Sequence, residues 1–218
     1  MPDIGEILGW PFKDPRWPSR LLLTGLLWLA LSVTVVGAPI AAVGLNGWML
    51  AALDNLRAGR TELPAPGFRN WGRGLRVFLV LLIYYVALAA IAGVPIGAGL
   101  LVGLRGTNSI GAGLLTVFGQ SLLLLGSTVL ALLTPAIVVL TERAGWSGGL
   151  NVLNLWRTAS VRPSLTLIAG LIALLALDII SPLGALACLV GVALTTPYAF
   201  AVLAAAVSAY ERALLTDR

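Results

Sequence analysis

Residues 77–103 read VFLVLLIYYVALAAIAGVPIGAGLLVG, an apolar run of 27 residues without one charged side chain. A helix of about 20 apolar residues is long enough to cross the hydrocarbon core of a bilayer. Short polar segments separate this run from five others, at 21–38, 39–53, 112–140, 165–180 and 185–208. The sequence therefore predicts an all-α fold, a polytopic membrane helix bundle with six transmembrane helices arranged as three hairpins over residues 21–218.

The composition agrees with lipid as the solvent. Hydrophobic residues make up 59% of the chain and charged residues only 11%, whereas a soluble domain carries about 25% charged residues. Disordered chains need the opposite balance, with low hydrophobicity and high charge. The composition therefore excludes both a soluble domain and a disordered chain.

The basic residues indicate how the chain is oriented. Thirteen of the fourteen Lys and Arg residues fall in segments that share one side of a six-span arrangement, and Arg105 is the exception. Basic loops stay on the cytoplasmic side of a membrane, so both termini are predicted to be cytoplasmic. Because these residues flank apolar runs, the net charge of +5 indicates contact with anionic headgroups and not with nucleic acid.

The run at 39–53 is short for a crossing, and by length alone it fits a re-entrant segment equally well. Charge favours a crossing, because basic residues on both flanks place residues 20 and 57 on the same side of the membrane. The runs at 77–103 and 112–140 are longer than needed. They are predicted to tilt or kink, with Pro95 and Pro135 as the natural positions.

Residues 1–20 are predicted to form an N-terminal interfacial anchor. Asp3 and Glu6 have the spacing of a helix capping box, and aromatic residues then alternate with basic ones. A second surface helix is predicted within 141–164, with an apolar face of Leu150, Leu153 and Trp156. Aromatic and basic side chains of this kind lie at lipid headgroups. The predicted headgroup anchors are Lys13, Arg16, Trp17, Arg20, Arg73 and Arg157.

Several short motifs are familiar. They are PFKDPRW at 11–17, GW at 47–48, NLRAG at 55–59 and LP at 63–64, followed by Trp71 and Gly74. Together they resemble a family of prokaryotic integral membrane proteins known as domain of unknown function four thousand and thirteen. The resemblance is specific over about residues 10–80. It implies a helical membrane fold in a prokaryotic plasma membrane, and it implies no substrate, cofactor or catalytic residue.

Three polar residues lie within apolar runs and are candidates for an intramembrane polar site: Asp178, Asn46 and Gln120. Carboxylates inside a membrane are costly and often functional. Asp178, however, precedes a predicted turn at 181–184 by three residues, so the sequence favours a position at the far interface, hydrated or paired with Arg105. The amides can line a solute path or form hydrogen bonds between packed helices.

Small residues are spaced as in close helix contacts on two of the runs. The predicted helix-packing faces consist of Gly93, Gly97, Gly99, Gly103, Gly119 and Gly126. Such faces let helix backbones approach closely in a membrane. They can serve the internal bundle or an outside partner.

The chain lacks the residues on which most catalysis depends. It has no histidine and one cysteine, and it contains no phosphate-binding loop or hydrolase motif. No enzymatic activity, metal or other cofactor is therefore expected. The predicted function is a non-catalytic subunit, scaffold or assembly partner in a larger membrane complex. The alternative is a small-solute transporter or channel-like permease, because prolines interrupt several spans, as in helices that surround solute sites.

Overall fold

A computed structural model of the chain describes residues 3–106 and 109–215, without the side chains of residues 187–189. The regular structure of the described residues is all helical, with no strand among them. The main helices are α1 (Ile4–Gly9), α2 (Trp17–Ser32), α3 (Gly37–Arg57), α4 (Trp71–Leu104), α5 (Ser109–Leu150), α6 (Val152–Val161), α7 (Pro163–Leu174), α8 (Ser181–Leu183) and α9 (Cys188–Leu215). The predicted all-α fold is confirmed.

Four stretches are long and apolar enough to cross a membrane: Trp71–Leu104, Ser109–Leu150, Pro163–Leu186 and Val190–Leu215. They correspond to the predicted runs at 77–103, 112–140, 165–180 and 185–208. Of the other two predicted spans, α2 has only 16 residues, and α3 carries a polar residue, Asn46, at its centre. Four candidate spans indicate a multi-pass membrane protein.

The chain divides into two compact units. The first, the hairpin unit, comprises residues 81–131, which form the adjoining parts of α4 and α5. Its helices run antiparallel, since Gly99 faces Ala112 while Gly126, further along α5, faces Leu88. The predicted turn between these helices lies partly outside the described residues.

The second unit comprises the rest of the chain and is built around α9. This helix contacts α2, α3 and α7, and all residues from 201 to 210 are buried. They read AVLAAAVSAY, so small side chains predominate on every face and neighbouring helices can surround the backbone closely. A helix that is apolar all round is expected in the centre of a bundle.

The N-terminal segment packs onto this central helix. The Tyr198 hydroxyl on α9 donates a hydrogen bond to the Leu8 carbonyl at 3.0 Å, and the ring of Phe12 lies 5.4 Å from that of Tyr198. Asp3 caps α1 as predicted, accepting from the Gly5 amide at 2.9 Å. Glu6 pairs with Lys13 at 3.0 Å and not with the cap. Ile7 and Trp10 are buried, so the segment is part of the folded unit.

The turn between α2 and α3 comes earlier than predicted. The first apolar run was expected to remain helical to Ala38, but α2 ends at Ser32. The Thr34 hydroxyl accepts from the amide of Gly37, the first residue of α3. Pro39 therefore lies in the first turn of α3, where its missing N–H removes no helical hydrogen bond.

Pro95 and Pro135 lie inside continuous helices. The non-helical backbone within α5 is at Gly145, with φ 65° and ψ −150°, and the tilts or kinks expected at Pro95 and Pro135 stay predictions. Positive φ is accessible to glycine because it has no Cβ. The bend directs the chain toward the surface helix α6, which Asn151 caps by accepting from the Asn154 amide at 2.9 Å.

The predicted surface helix exists, but it turns a different face inward. Leu155 and Ala159 are buried, whereas Leu153 and Trp156 are exposed. The predicted apolar face is thus directed away from the protein. An exposed apolar face on a short helix is typical of contact with the acyl boundary of a bilayer.

The turn predicted at 181–184 also lies later in the structure. The helix that begins at Pro163 continues through a π-helical segment, Leu175–Ile180, and then α8 to Leu183. The chain reverses after that, since the Thr195 hydroxyl on α9 donates to the Ser181 carbonyl at 2.9 Å. Asp178 therefore lies within the candidate span Pro163–Leu186, eight positions before its end.

Candidate functional site

Asp14 is the centre of a buried polar cluster. The residue is only 1% exposed, and its carboxylate accepts three hydrogen bonds. The donors are the Arg16 amide at 2.8 Å, the Leu63 amide at 2.8 Å and the Arg20 guanidinium at 3.0 Å. A buried carboxylate is stable only when its oxygens are paired in this way. Asp14 thus fixes a loop that lies 49 residues further along the chain.

Arg20 holds the same loop from a second direction. Its guanidinium donates to the Leu63 carbonyl and pairs with Glu62 at 3.2 Å. Both backbone groups of Leu63 are therefore satisfied by side chains from the N-terminal segment and α2, and the Leu63 side chain is buried. Residues 58–70, which connect α3 to α4 without regular structure, are attached to the helices at this point.

Two side chains of α3 complete the attachment. The Trp48 indole N–H donates to the Pro64 carbonyl at 3.2 Å, and the Asn55 amide donates to the Glu62 carbonyl at 2.8 Å. A loop with few regular hydrogen bonds needs such partners for its backbone groups.

Glycines bring the start of α4 against α3. A Cβ added at Gly74 would lie 2.5 Å from the Gly47 amide nitrogen and 2.5 Å from the Val43 carbonyl oxygen. Only a residue without a side chain allows the two backbones to approach this closely. The motif residues noted in the sequence, from 11–17 to Gly74, thus meet in one cluster around the loop.

The loop and α3 enclose a polar cleft of about 430 Å³. Its floor includes Trp48 and Ala51 of α3, and its wall is the loop segment 63–67. The charged residues that line it are Arg20, Arg60, Arg69, Asp54 and Glu62. A volume of this size is typical of pockets that accept small ligands.

A second group of charges lies next to the cleft. Arg73 binds both carboxylate oxygens of Asp54, at 2.6 and 3.1 Å, and also pairs with Glu142. Arg57 pairs with Glu211 at 2.9 Å. Together with Arg143, which lies 3.4 Å from Glu211, these residues form a neutral network of three arginines and three carboxylates. The network joins α3, α4, α5 and α9.

The network determines the charge state of Asp54. Burial alone would raise the pKa of this carboxyl group. The hydrogen bond and charge of Arg73, together with those of Arg57, outweigh that effect and hold the pKa below its ordinary value. Asp54 is therefore an ion-pair partner at neutral pH and not a proton donor.

The three predicted polar-site residues lie on separate elements. Asn46 is buried, and its side-chain amide donates to the Ala42 carbonyl of its own helix at 2.8 Å. Asp178 is exposed in the π-helical segment. Gln120 is exposed on α5 in the hairpin unit. Asn46 is thus already satisfied within α3, and the shared site stays a prediction.

The six predicted packing glycines fall into two sets. Gly99, Gly103, Gly119 and Gly126 all face the opposite helix of the hairpin. A Cβ at Gly119, for example, would lie 2.8 Å from the Ala92 carbonyl oxygen. A Cβ added at Gly93 or Gly97 would have no atom of the opposite helix within 4 Å. The first set therefore packs the hairpin, and the second leaves a helix face open.

The predicted headgroup anchors also divide into two groups. Arg20 and Arg73 are engaged in the ion pairs just described. Lys13, Arg16 and Arg157 are exposed, and the ring of Trp17 packs edge-on against Phe12 at 4.9 Å. Sequence reasoning missed the role of Asp14. Its one local signal is an acidic residue placed inside an otherwise aromatic and basic segment.

These features define an all-helical, multi-pass membrane protein with a polar cleft beside a tethered loop. A family model described as "Protein of unknown function (DUF4013)" matches residues 30–210. The chain belongs to this family, as its motifs indicated. It matches no curated protein and no solved structure.

Proposed function

We propose that this protein is a non-catalytic subunit, scaffold or assembly partner in a larger membrane complex. In this proposal it crosses a prokaryotic plasma membrane six times as three hairpins, with both termini in the cytoplasm. The additional crossings are α2 and α3, which are joined by a turn of four residues, 33–36. Its basic segments then face anionic headgroups on the cytoplasmic side.

The open glycine face of the hairpin unit is the observation that carries this proposal. Gly93 and Gly97 lie one turn apart on α4 and have no neighbour from α5, while Ile91 and Val94 beside them are largely exposed. Small residues at such a spacing allow a second helix to pack closely in a membrane. The hairpin already uses Gly99, Gly103, Gly119 and Gly126 for its own contact, which supports an outside partner for this face.

The charged residues support a structural role as well. The carboxylates of the network, Asp54, Glu142 and Glu211, are paired with arginines. Asp14 is saturated by three donors. Groups held in this way organise the fold and are poorly suited to exchange protons with a substrate.

Partner binding can be tested by adding bulk to the open face. Gly93→Leu with Gly97→Leu should prevent close approach of a partner helix. The two changes favour the helix itself, because glycine is less favourable than leucine in a helix interior by about 1 kcal/mol. Purification in mild detergent from the native membrane should therefore give a stable protein that has lost its stoichiometric partners.

Gly72→Leu is the matched control. Gly72 lies on the same helix, and a Cβ added there would have no atom within 4 Å among the described residues. This variant should keep the partners. A wild-type protein that purifies alone as a monodisperse monomer would contradict the proposal, as would equal loss of partners in the control.

The orientation can be tested with single cysteines in a Cys188→Ala background. A cysteine at Ser109 should react with an impermeant reagent added outside the cell. A cysteine at Ser147 should react only after the membrane is opened. Accessibility of both positions from the same side would exclude the six-span arrangement.

A permease is the alternative, and the π-helical segment favours it. π-Helical turns are rare and occur frequently at functional sites. Here the turn carries Asp178 eight positions inside a candidate span, where a carboxylate is costly.

Under this alternative, purified protein in liposomes should transport one of a panel of amino acids, sugars or inorganic ions, and Asp178→Asn should abolish that flux. Glu6→Gln, which removes an exposed carboxylate outside the spans, is the control. Flux that survives Asp178→Asn would rule out this role.

A further inference from the structure

Two arginines in the polar cleft between α3 and the 58–70 loop have no protein partner in the described part of the chain. Arg60 and Arg69 both line the cleft and are exposed. Within residues 3–106 and 109–215, neither side chain takes part in an ion pair or hydrogen bond. We propose that this cleft binds a phosphate group, carried either by an anionic lipid or by a soluble phosphate ester, through Arg60 and Arg69.

The other charged residues that line the cleft are engaged in ion pairs. Arg20 is paired with Asp14 and Glu62. Asp54 is paired with Arg73 and Arg57. Arg20 with its two carboxylates carries one negative charge, and the network that includes Asp54 is neutral. Arg60 and Arg69 add two positive charges, so one positive charge remains in excess, and an anion is the ligand that this cleft attracts.

The cleft is built before any ligand arrives. The loop wall is held by the Trp48 and Asn55 hydrogen bonds and by the pairing of Leu63 with Asp14. Pro64 and Pro66 restrict the backbone of this wall. The loop is already ordered in the folded protein, so ligand binding does not have to lower its conformational entropy further. This favours tight binding.

The chain next to Arg69 adds to the attraction. Asn70 adopts a left-handed conformation, with φ 65°, and α4 begins at the following residue. The positive end of the helix dipole therefore lies beside a lining residue of the cleft. This contribution is secondary to that of the two guanidinium groups.

The guanidinium group favours oxyanions such as phosphate over monatomic anions. It is planar, permanently charged and presents paired N–H donors that match two phosphate oxygens. A chloride ion offers no such geometry. Two arginines on one cleft can hold a single phosphate group from two directions, and the remaining volume accommodates the glycerol, sugar or alcohol to which the phosphate is esterified.

The test compares Arg60→Gln with Arg69→Gln in one double variant against a matched control, Arg76→Gln with Arg105→Gln. Both double variants remove two exposed arginines, but the control residues lie outside the cleft and are not among the predicted headgroup anchors. Binding is measured by native mass spectrometry from nanodiscs of phosphatidylglycerol or phosphatidylcholine. It is measured in parallel by thermal unfolding in detergent with inorganic phosphate or glycerol 3-phosphate, against sodium chloride of equal ionic strength.

Wild-type protein should bind phosphate ligands saturably, and the cleft variant should bind at least about tenfold more weakly, because each charged hydrogen bond is worth more than one factor of ten. The control should resemble the wild type. Retention of phosphatidylglycerol without stabilisation by the soluble phosphates identifies a lipid ligand, and stabilisation by the soluble phosphates identifies a phosphate ester. Equal weakening in both double variants, or no saturable binding of either ligand class, would overturn the proposal.

Discussion

Replacing the Asp14 carboxylate should destabilise the protein far more than replacing an exposed one. Asp14→Asn keeps the shape of the side chain, but it removes the charge and turns one acceptor oxygen into a donor. The lost oxygen faces the Leu63 amide, the Arg16 amide or Arg20. At least one buried donor is then left without an acceptor, which carries its full desolvation penalty.

The expected loss of unfolding free energy follows from the burial of the Asp14–Arg20 ion pair. Removing one partner of a buried ion pair costs about 3–5 kcal/mol. The Arg20 side chain is 18% exposed and retains Glu62 and the Leu63 carbonyl as partners, so we expect a loss near the lower end, about 3 kcal/mol. Glu6→Gln breaks the Lys13–Glu6 pair, whose side chains are 45% and 66% exposed. Exposed pairs of this kind contribute about 0–1 kcal/mol.

The free energy of unfolding can be measured in mixed micelles by titration with a denaturing detergent and followed by tryptophan fluorescence. Limited trypsin digestion gives a local measure, because a released loop exposes the bond after Arg60. A loss for Asp14→Asn within about 1 kcal/mol of that for Glu6→Gln would refute the reasoning. A double variant with Arg20→Met should lose less than the sum of the single variants, since both changes remove the same interaction.

Two further predictions concern the ion-pair network and the hairpin unit. The pKa of Asp54 is lowered in the folded protein, so its contribution to stability is fully present above the ordinary pKa of 3.8 and is lost as the pH falls through the lowered value. The difference in unfolding free energy between wild type and Asp54→Asn should therefore shrink toward zero on acidification. A difference that stays constant or grows would contradict this prediction. Gly119→Ala should destabilise the hairpin by about 1–3 kcal/mol through overpacking, because the new Cβ would lie 2.8 Å from the Ala92 carbonyl oxygen. A Cβ at Gly113 would have no atom within 4 Å among the described residues. Gly113→Ala should therefore be neutral or stabilising in the same detergent titration.

The candidate site was only partly predictable. The motifs at 11–17, 47–48 and 63–64 were recognisable in the sequence, but nothing in them stated that they would meet. Asp14 and Leu63 are 49 residues apart, and a contact at that separation depends on how α2, α3 and the loop pack. Arg20 and Arg73 illustrate the same point. A basic residue beside an apolar run is compatible with a headgroup or with a carboxylate, and only the neighbours supplied by packing distinguish the two.

Helix boundaries show where local reasoning was insufficient. The surface helix was predicted only to lie within 141–164, and the structure places the non-helical residue that precedes it at Gly145. The predicted turn at 181–184 lies later because the π-helical segment and α8 continue the helix. Apolar length sets the approximate extent of a span, while the exact ends depend on local partners such as the Thr34 hydroxyl, which accepts from the Gly37 amide at the start of α3.

The sequence by itself determined the solvent and the class of structure. Long uncharged runs can satisfy their backbone groups in lipid only as helices, and basic residues between the runs indicate which ends share a side. Both conclusions depend only on the composition of single segments and not on which segments pack together. The tertiary structure alone decided that α9 is the central helix and that Asp14 and Arg20 tether the 58–70 loop. It also decided that Arg60 and Arg69 have no partner in the cleft among the residues that the structure describes. These are properties of pairs distant in the chain, and packing alone determines which pairs form.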